Sequence, residues 1–151
     1  MKIELELIDI SEKNILSQML NDYQFEISGD GSAGYKYLDL YWERENRHPY
    51  FIKVDGEIAG FALVNGHTIV CKGASNLAEF YVLSKFRKCG VGRSAAKAVF
   101  AKFPGKWEVR QIAENPIAHI FWNKVINEYS NGKFQEITMN NEDWNGWIQT
   151  F

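Results

Sequence analysis

The chain is 151 residues long, 46 % apolar and 24 % charged, which fits one domain with a core of its own and argues against intrinsic disorder. Its 17 basic and 19 acidic residues leave a net charge of −2, so no bulk basic field exists to support sequence-independent binding of nucleic acid. Two cysteines, Cys71 and Cys89, make no disulfide framework, no Cys/His spacing suggests zinc, and no run approaches the ~18 apolar residues a bilayer span needs. The N-terminus has no apolar block of signal-peptide type, so the expectation is a cytoplasmic protein with neither membrane nor nucleic acid as partner.

In chain order, Ile3, Leu5 and Leu7 alternate with charged residues and predict a half-buried strand. Ser11 is placed to N-cap the helix that follows, with Ile15, Leu16, Met19, Leu20 and Tyr23 at helical spacing. Gly29 to Gly34 is loop chemistry, and Leu38, Tyr41 and Trp42 allow a short second helix. Tyr50–Val54 and Glu57–Val64 flank Asp55-Gly56, which predicts a hairpin with a type I′ turn, because both turn residues then need positive φ. Leu77–Leu83 is a further strand, and Phe86–Gly92 a basic, glycine-containing turn. A helix follows through Phe103, ended by Pro104-Gly105, then a strand over Trp107–Ala113. Pro116 opens a helix to about Tyr129. Phe134–Thr138 and Trp147–Phe151 close the chain as short strands. The strand-helix-strand unit over 77–113 requires a parallel pair, while the hairpins are antiparallel. The expected fold is α/β: a mixed, mostly antiparallel sheet of six to seven strands, helices on both faces, in one domain spanning 1–151.

The chemistry concentrates in Phe86-Arg-Lys-Cys-Gly-Val-Gly-Arg93, where a strand end opens a helix. Unpaired N–H groups at a helix start point outward, and the helix dipole adds partial positive charge. Gly90 and Gly92 let an anion approach the backbone, and Arg87, Lys88 and Arg93 add full charges. This is a cradle for a phosphate or pyrophosphate. The Walker spacing is absent, and a dinucleotide fingerprint belongs near the start of a parallel sheet, which the preceding hairpin opposes. A solvated glycine turn with basic neighbours is the plain alternative.

Phe80 to Gly92 resembles the signature of the GNAT superfamily of acyl-CoA-dependent N-acyltransferases, R/Q-x-x-G-x-G/A between the fourth strand and the third helix. Arg87, Gly90 and Gly92 carry the match. Asn115-Pro-Ile-Ala118-His-Ile-Phe-Trp122 resembles the family's N-x-x-A-x-x-x-Y segment, and one helix and one strand separate the two segments, as in the family. The resemblance implies acetyl-CoA, or another acyl-CoA, as acyl-donor cosubstrate bound between splayed fourth and fifth strands, and no metal. On that basis the N–H groups of Lys88, Cys89, Gly90, Val91, Gly92 and Arg93 would hold the pyrophosphate, with Arg87 beside them. Tyr81, Val82 and Leu83 would pair with the pantetheine, and Asn115 would lie at its far end.

Transfer to an amine requires removal of a proton from the ammonium, polarisation of the thioester carbonyl and departure of a thiolate. Glu79 is the one acid within the Leu77–Leu83 strand and is the candidate base, its alternative being a structural or solvated carboxylate. The N–H of Val82 or Leu83 would polarise the carbonyl. Trp122 departs from the family's tyrosine; an indole N–H gives up no proton at useful pH, so Trp122 packs or lines the thiol pocket. Tyr81, Tyr129 or water is left to serve the thiolate. A thiol at a basic helix start makes an acyl-cysteine route through Cys89 imaginable, but the family transfers directly. His48, His67 and His119 show no triad or metal spacing.

The acceptor side offers Tyr23, Phe25, Tyr35, Tyr37, Tyr41, Trp42, Trp144 and Trp147, as ring stacks for a cationic amine or as core, with Glu26, Asp30 and Asp39 as acids. The reading is an N-acetyltransferase acting on a small-molecule or peptide primary amine. A catalytically weak acyl-CoA-binding module and a binder of some other phosphorylated ligand are the alternatives. Many proteins of this architecture pair through sheet edges or C-terminal strands, which leaves a homodimer open.

Overall fold

Alternation along the central strands divides the apolar residues between two faces, and the helices follow that division. The computed structural model describes residues 1–29 and 35–151; most of the expected 29–34 loop, Asp30 included, lies outside the described residues. Seven strands, β1 (Ile3–Leu7), β2 (Arg47–Val54), β3 (Glu57–Asn65), β4 (Ser75–Val82), β5 (Trp107–Ile112), β6 (Gln135–Asn140) and β7 (Asn145–Thr150), form one sheet in the order β1-β2-β3-β4-β5-β7-β6. All neighbours are antiparallel except β4 and β5. On β3, Phe61 and Leu63 pack under α1 (Lys13–Ser28) and α2 (Leu40–Glu43), together with Leu16, Leu20 and Tyr41. Ala62 and Val64 face the other way, under α3 (Val91–Lys102) and α4 (Pro116–Ser130), with Phe100, Trp107 and Trp122.

The predicted turn chemistry holds. Asp55 and Gly56 both have positive φ, 50° and 85°, as a type I′ turn demands. Gly29 ends α1 in the left-handed region, and Pro116 opens α4. Ser11 is not the N-cap. The residue before α1 is Glu12, which makes no side-chain cap hydrogen bond; Asp9 caps the 3₁₀ turn ahead of the helix, its carboxylate accepting from the Ser11 N–H at 3.0 Å and from the Ser11 hydroxyl at 2.6 Å. That 3₁₀ turn covers Ile10–Glu12 and takes up Ser11, so α1 begins only at Lys13. Several strand limits also move: β2 begins at Arg47, β4 runs from Ser75 to Val82, and Leu83 leads into a 3₁₀ turn over Ser84–Phe86.

Glu108 holds the base of the parallel pair. It is fully buried on β5, and its two oxygens accept the N–H groups of Ile69, Val70 and Cys71 at 2.8, 2.8 and 2.9 Å. Arg110 forms an ion pair with it. Burial alone would raise its pKa; the three N–H donors and the guanidinium outweigh burial and hold it below the ordinary value of 4.5. The carboxylate thereby fastens the β3–β4 connection to β5 beside the point where β4 meets β5.

Glu108→Gln turns one of the two accepting oxygens into an NH₂, which then faces either the Val70 and Cys71 N–H groups or the Ile69 N–H and Arg110, and the expected loss is on the order of 3 kcal/mol, or roughly 6–12 °C in Tm. Because the folded pKa is depressed, the native carboxylate's contribution is complete above the unfolded pKa and disappears as pH falls through the folded one. The Tm difference between the native chain and Glu108→Gln therefore narrows on acidification below about pH 4.5, which paired melts across pH 3–7 would measure.

Candidate active site

β4 and β5 pair only at Ser75↔Trp107 and Asn76↔Glu108, and beyond that they part. The gap opens into a cleft of about 590 Å³ lined on the β4 side by Leu77 to Tyr81 and on the β5 side by Val109 to Ile112. The C-terminal half of α1 from Tyr23 onward, Ala118 and Trp122 of α4, Asn115 and Trp144 also line it. The end of β4 is pressed against β3 at Gly60, where a Cβ would lie 2.0 Å from the Tyr81 carbonyl oxygen; only glycine permits that approach. The Leu83 N–H donates to the Ala59 carbonyl at 2.8 Å. Peptide groups alternate between the two edges of a strand, so the Val82 peptide groups face the gap, and the Val82 carbonyl is indeed held from that side by Arg87 Nε at 2.7 Å. Of the two N–H groups expected to polarise a carbonyl, Leu83's is therefore engaged with β3 and Val82's faces the gap.

Past the cleft, β4 runs by way of a 3₁₀ turn into the glycine turn. Lys88 (φ 64°) and Gly90 (φ 85°) are left-handed, a pattern that curls successive N–H groups toward one concave side. Gly90 caps α3 without a side-chain hydrogen bond, and Ser94 is the first residue whose N–H closes a helical turn, at 3.0 Å to the Gly90 carbonyl. The N–H groups of Val91, Gly92 and Arg93 precede it and have no helical acceptor. A Cβ at Gly92 would sit 3.4 Å from the Phe121 ring, so alanine fits there and a larger side chain does not.

Most of the turn's formal charge is paired. Arg87 binds Glu26 at 2.8 Å, and Arg93 binds Glu128 through Nε and Nη2. Among the described residues Lys88 has no ion-pair partner. Cys89 is exposed, with its thiol directed to the Phe86 carbonyl at 3.0 Å. The positive character of the turn thus resides chiefly in Lys88 and the free end of α3.

Glu79 lies in the cleft wall, on the sheet face covered by α1. Burial pushes its carboxyl up to about 7, with the Tyr23 hydroxyl partly offsetting that rise. Tyr23 packs on Phe61 and Tyr81, with ring centroids 5.5 Å away in both cases, and burial and Glu79 keep its phenol well above the ordinary range. Tyr23 was only one of several aromatics in the sequence, and nothing local marked it as the neighbour of Glu79. Asn115 N-caps α4 by accepting the Ala118 N–H at 3.1 Å, and Trp122 is 8 % exposed among Phe80, Phe100 and Phe121.

Other expected groups lie elsewhere. Tyr129 packs on Phe100 and Phe151 and does not line the cleft. The Tyr81 hydroxyl donates to Glu26 at 3.0 Å. His119 bonds Glu136 and stacks on Trp147, His67 contacts Arg47, and His48 packs on Phe103. Asp39 pairs with Lys13. Tyr41 and Trp42 belong to α2 and pack into the core beneath α1, whereas Phe25 faces solvent. Among the described residues no group of three or more His, Cys, Asp or Glu is arranged to hold a metal, and no helix is long and apolar enough to cross a membrane.

Solved structures share this architecture. The aminoglycoside acetyltransferase AAC(6')-Ib in complex with coenzyme A superposes with a TM-score of 0.73 at 16 % identity, over 99 % of this chain and 94 % of that one. An acetyltransferase from Thermus thermophilus gives 0.72 at 13 % identity, over 100 % and 97 %. Spermidine N-acetyltransferase from Vibrio cholerae, in complex with CoA and spermine, gives 0.65 at 10 % identity, over 99 % and 94 %. At such identities the likeness is one of fold. No curated protein matches the sequence. Residues 14–126 match the model of the Acetyltransferase (GNAT) family, which is well over half of the chain, and the chain belongs to that family.

Proposed function

We propose that this chain transfers an acetyl group from acetyl-CoA to a primary amine by direct attack on the thioester. One observation carries the reading: the cleft between the parted β4 and β5 is lined by Glu79, whose carboxyl is pushed up to about 7, and the same strand runs on past Val82 into the turn from which α3 starts. The pyrophosphate would lie on the α3 N-terminus, with Lys88 supplying a full charge, and the pantetheine along β4. Glu79 would take a proton from the acceptor's ammonium, since a carboxylate with a pKa near working pH is both ionised and basic enough to do so. The freed nitrogen attacks the carbonyl carbon, and the Val82 N–H donates to the oxygen as negative charge develops there. Collapse of the tetrahedral intermediate breaks the C–S bond, and the thiolate takes its proton from water.

The acceptor is a small molecule rather than a docked protein on this reading. The related folds named as aminoglycoside and spermidine acetyltransferases support an amine acceptor, and the charge pattern offers no long acidic or basic docking tract. A second reading, an acyl-CoA-binding module with weak turnover, draws on Trp122, whose indole cannot protonate a thiolate. CoA release in the presence of an amine panel separates the two.

In thermal melts, acetyl-CoA and CoA at about 100 times Kd are expected to raise Tm by roughly 5–10 °C, while ATP and NAD do not. Gly92→Ala retains the shift; Gly92→Leu, which crowds Phe121 and covers the N–H groups, abolishes it. A chain unmoved by either CoA species refutes the donor assignment.

Glu79→Gln is expected to lower kcat by about 100-fold or more with CoA affinity unchanged. The native kcat/KM rises with pH as Glu79 loses its proton, with a midpoint near 7. That limb is absent in Glu79→Gln, and a pH–rate profile preserved in the variant would remove Glu79 from the base role.

A further inference from the structure

Arg87 sits in the glycine turn, yet its guanidinium is directed away from the free N–H groups of α3. Its Nε donates to the Val82 carbonyl at 2.7 Å, its Nη2 donates to Glu26 at 2.8 Å, and its plane lies over the Tyr81 ring at 5.4 Å. The second Glu26 oxygen accepts the Tyr81 hydroxyl at 3.0 Å. One carboxylate on α1 is thus held by both the end of β4 and the turn that follows it.

The same two elements carry the candidate base and its neighbour. Glu26 lies three residues beyond Tyr23, on the same side of α1. Tyr81 lies two residues beyond Glu79, on the same face of β4. The Arg87–Glu26–Tyr81 contacts and the Tyr23–Glu79 contact are therefore two adjacent fastenings between one helix and one strand. Arg87 and Glu26 are 40 % and 44 % exposed at the side chain, and ion pairs that open to solvent contribute little to folding. Fixing geometry is another matter, because displacement of a reacting group by about 1 Å can cost 100-fold in rate.

We propose that Arg87 is a positioning residue: through Glu26 it fixes the C-terminal half of α1 on β4, and so keeps the Tyr23 hydroxyl against Glu79. Its kinetic consequence rests on the acetyltransferase reading; the structural claim does not. The groups facing Glu79 are Tyr23 from α1 and Tyr35 and Tyr41 from the segment around α2, with Arg47 of β2 lying over the Tyr41 ring. The phenols of all three tyrosines are held above the ordinary range, so among these phenols and the carboxyl it is Glu79 that titrates near neutrality.

The test compares Arg87→Met, which keeps the aliphatic stem, with Glu26→Gln, which loosens the same fastening from α1 without altering the turn. Calorimetry with CoA is expected to give a Kd within about threefold of the native chain for both variants, whereas loss of a direct phosphate ligand would cost about tenfold or more. The Glu79 carboxyl, followed by carbon-13 NMR and assigned with Glu79→Gln, is expected to titrate above the native value of about 7 in both variants, because the Tyr23 hydroxyl that holds it down withdraws. With acetyl-CoA saturating, kcat falls about tenfold, and adding Tyr23→Phe to Arg87→Met lowers it little further, the non-additivity expected of one fastening. An unchanged Glu79 titration in both variants overturns the proposal. So does a CoA affinity reduced by about tenfold with kcat retained, which would make Arg87 a phosphate ligand. A native chain that releases no CoA with any amine refutes the acetyltransferase reading instead, and the carboxyl titration still decides the role of Arg87.

Discussion

Two parallel strands that part after a short paired stretch leave peptide groups facing each other across a gap, with no partner in the sheet to satisfy them. Here the paired stretch is two residue pairs at the base of β4 and β5. β4 cannot follow β5, because Gly60 and the Leu83–Ala59 hydrogen bond keep its far end on β3. β5 is drawn the other way by five antiparallel pairs with β7, from Glu108 to Ile112. The gap is therefore imposed by the outer strands of the sheet. The buried Glu108 stands at the point of divergence, where it ties the β3–β4 connection to β5 and sets where the gap begins.

The glycine turn and the gap are one structure, since β4 runs directly into the turn. The 3₁₀ turn over Ser84–Phe86 reverses the chain, and α3 starts from Gly90 beside the end of β4. Val91 and Ala95 then pack with Val82 in a common cluster. That packing holds the start of α3 beside the end of β4. A backbone site of this kind depends little on which charged residues decorate it, and Arg87 and Arg93 are in fact spent on Glu26 and Glu128.

Local chemistry was legible in the sequence wherever it is decided by a few neighbouring residues. Asp55-Gly56 specifies a turn by backbone sterics, Pro116 specifies a helix start, and the spacing of Gly90 and Gly92 specifies a turn without side chains. The parallel pairing of β4 with β5 was legible as well, because a strand-helix-strand unit leaves little other topology. What the sequence did not disclose is the choice of distant polar partners. Arg87 is 61 residues from Glu26, and Glu108 is 39 from Ile69. Each basic residue had several acids within conceivable reach, and only the tertiary arrangement selects among them. The start of α1 shows the same limit at short range: Asp9 caps a 3₁₀ turn that takes up Ser11, and α1 then starts without a side-chain cap.

The electrostatics of the cleft follow from that selection. Glu26 and Glu79 both line it, yet they are held in opposite conditions. Glu26 is half exposed and meets a guanidinium and a phenol, so its charge is compensated where it stands. Glu79 has tyrosines around it and no cation in direct contact among the described residues, so burial dominates and raises its pKa. Had Arg87 reached Glu79 instead, a nearby opposite charge would have held that carboxylate ionised and weakened it as a base. The Arg87–Glu26 pair therefore does two things at once: it fastens α1 to β4, and it keeps the nearest guanidinium of the turn occupied at the rim of the cleft, leaving Glu79 with a proton affinity matched to neutral pH.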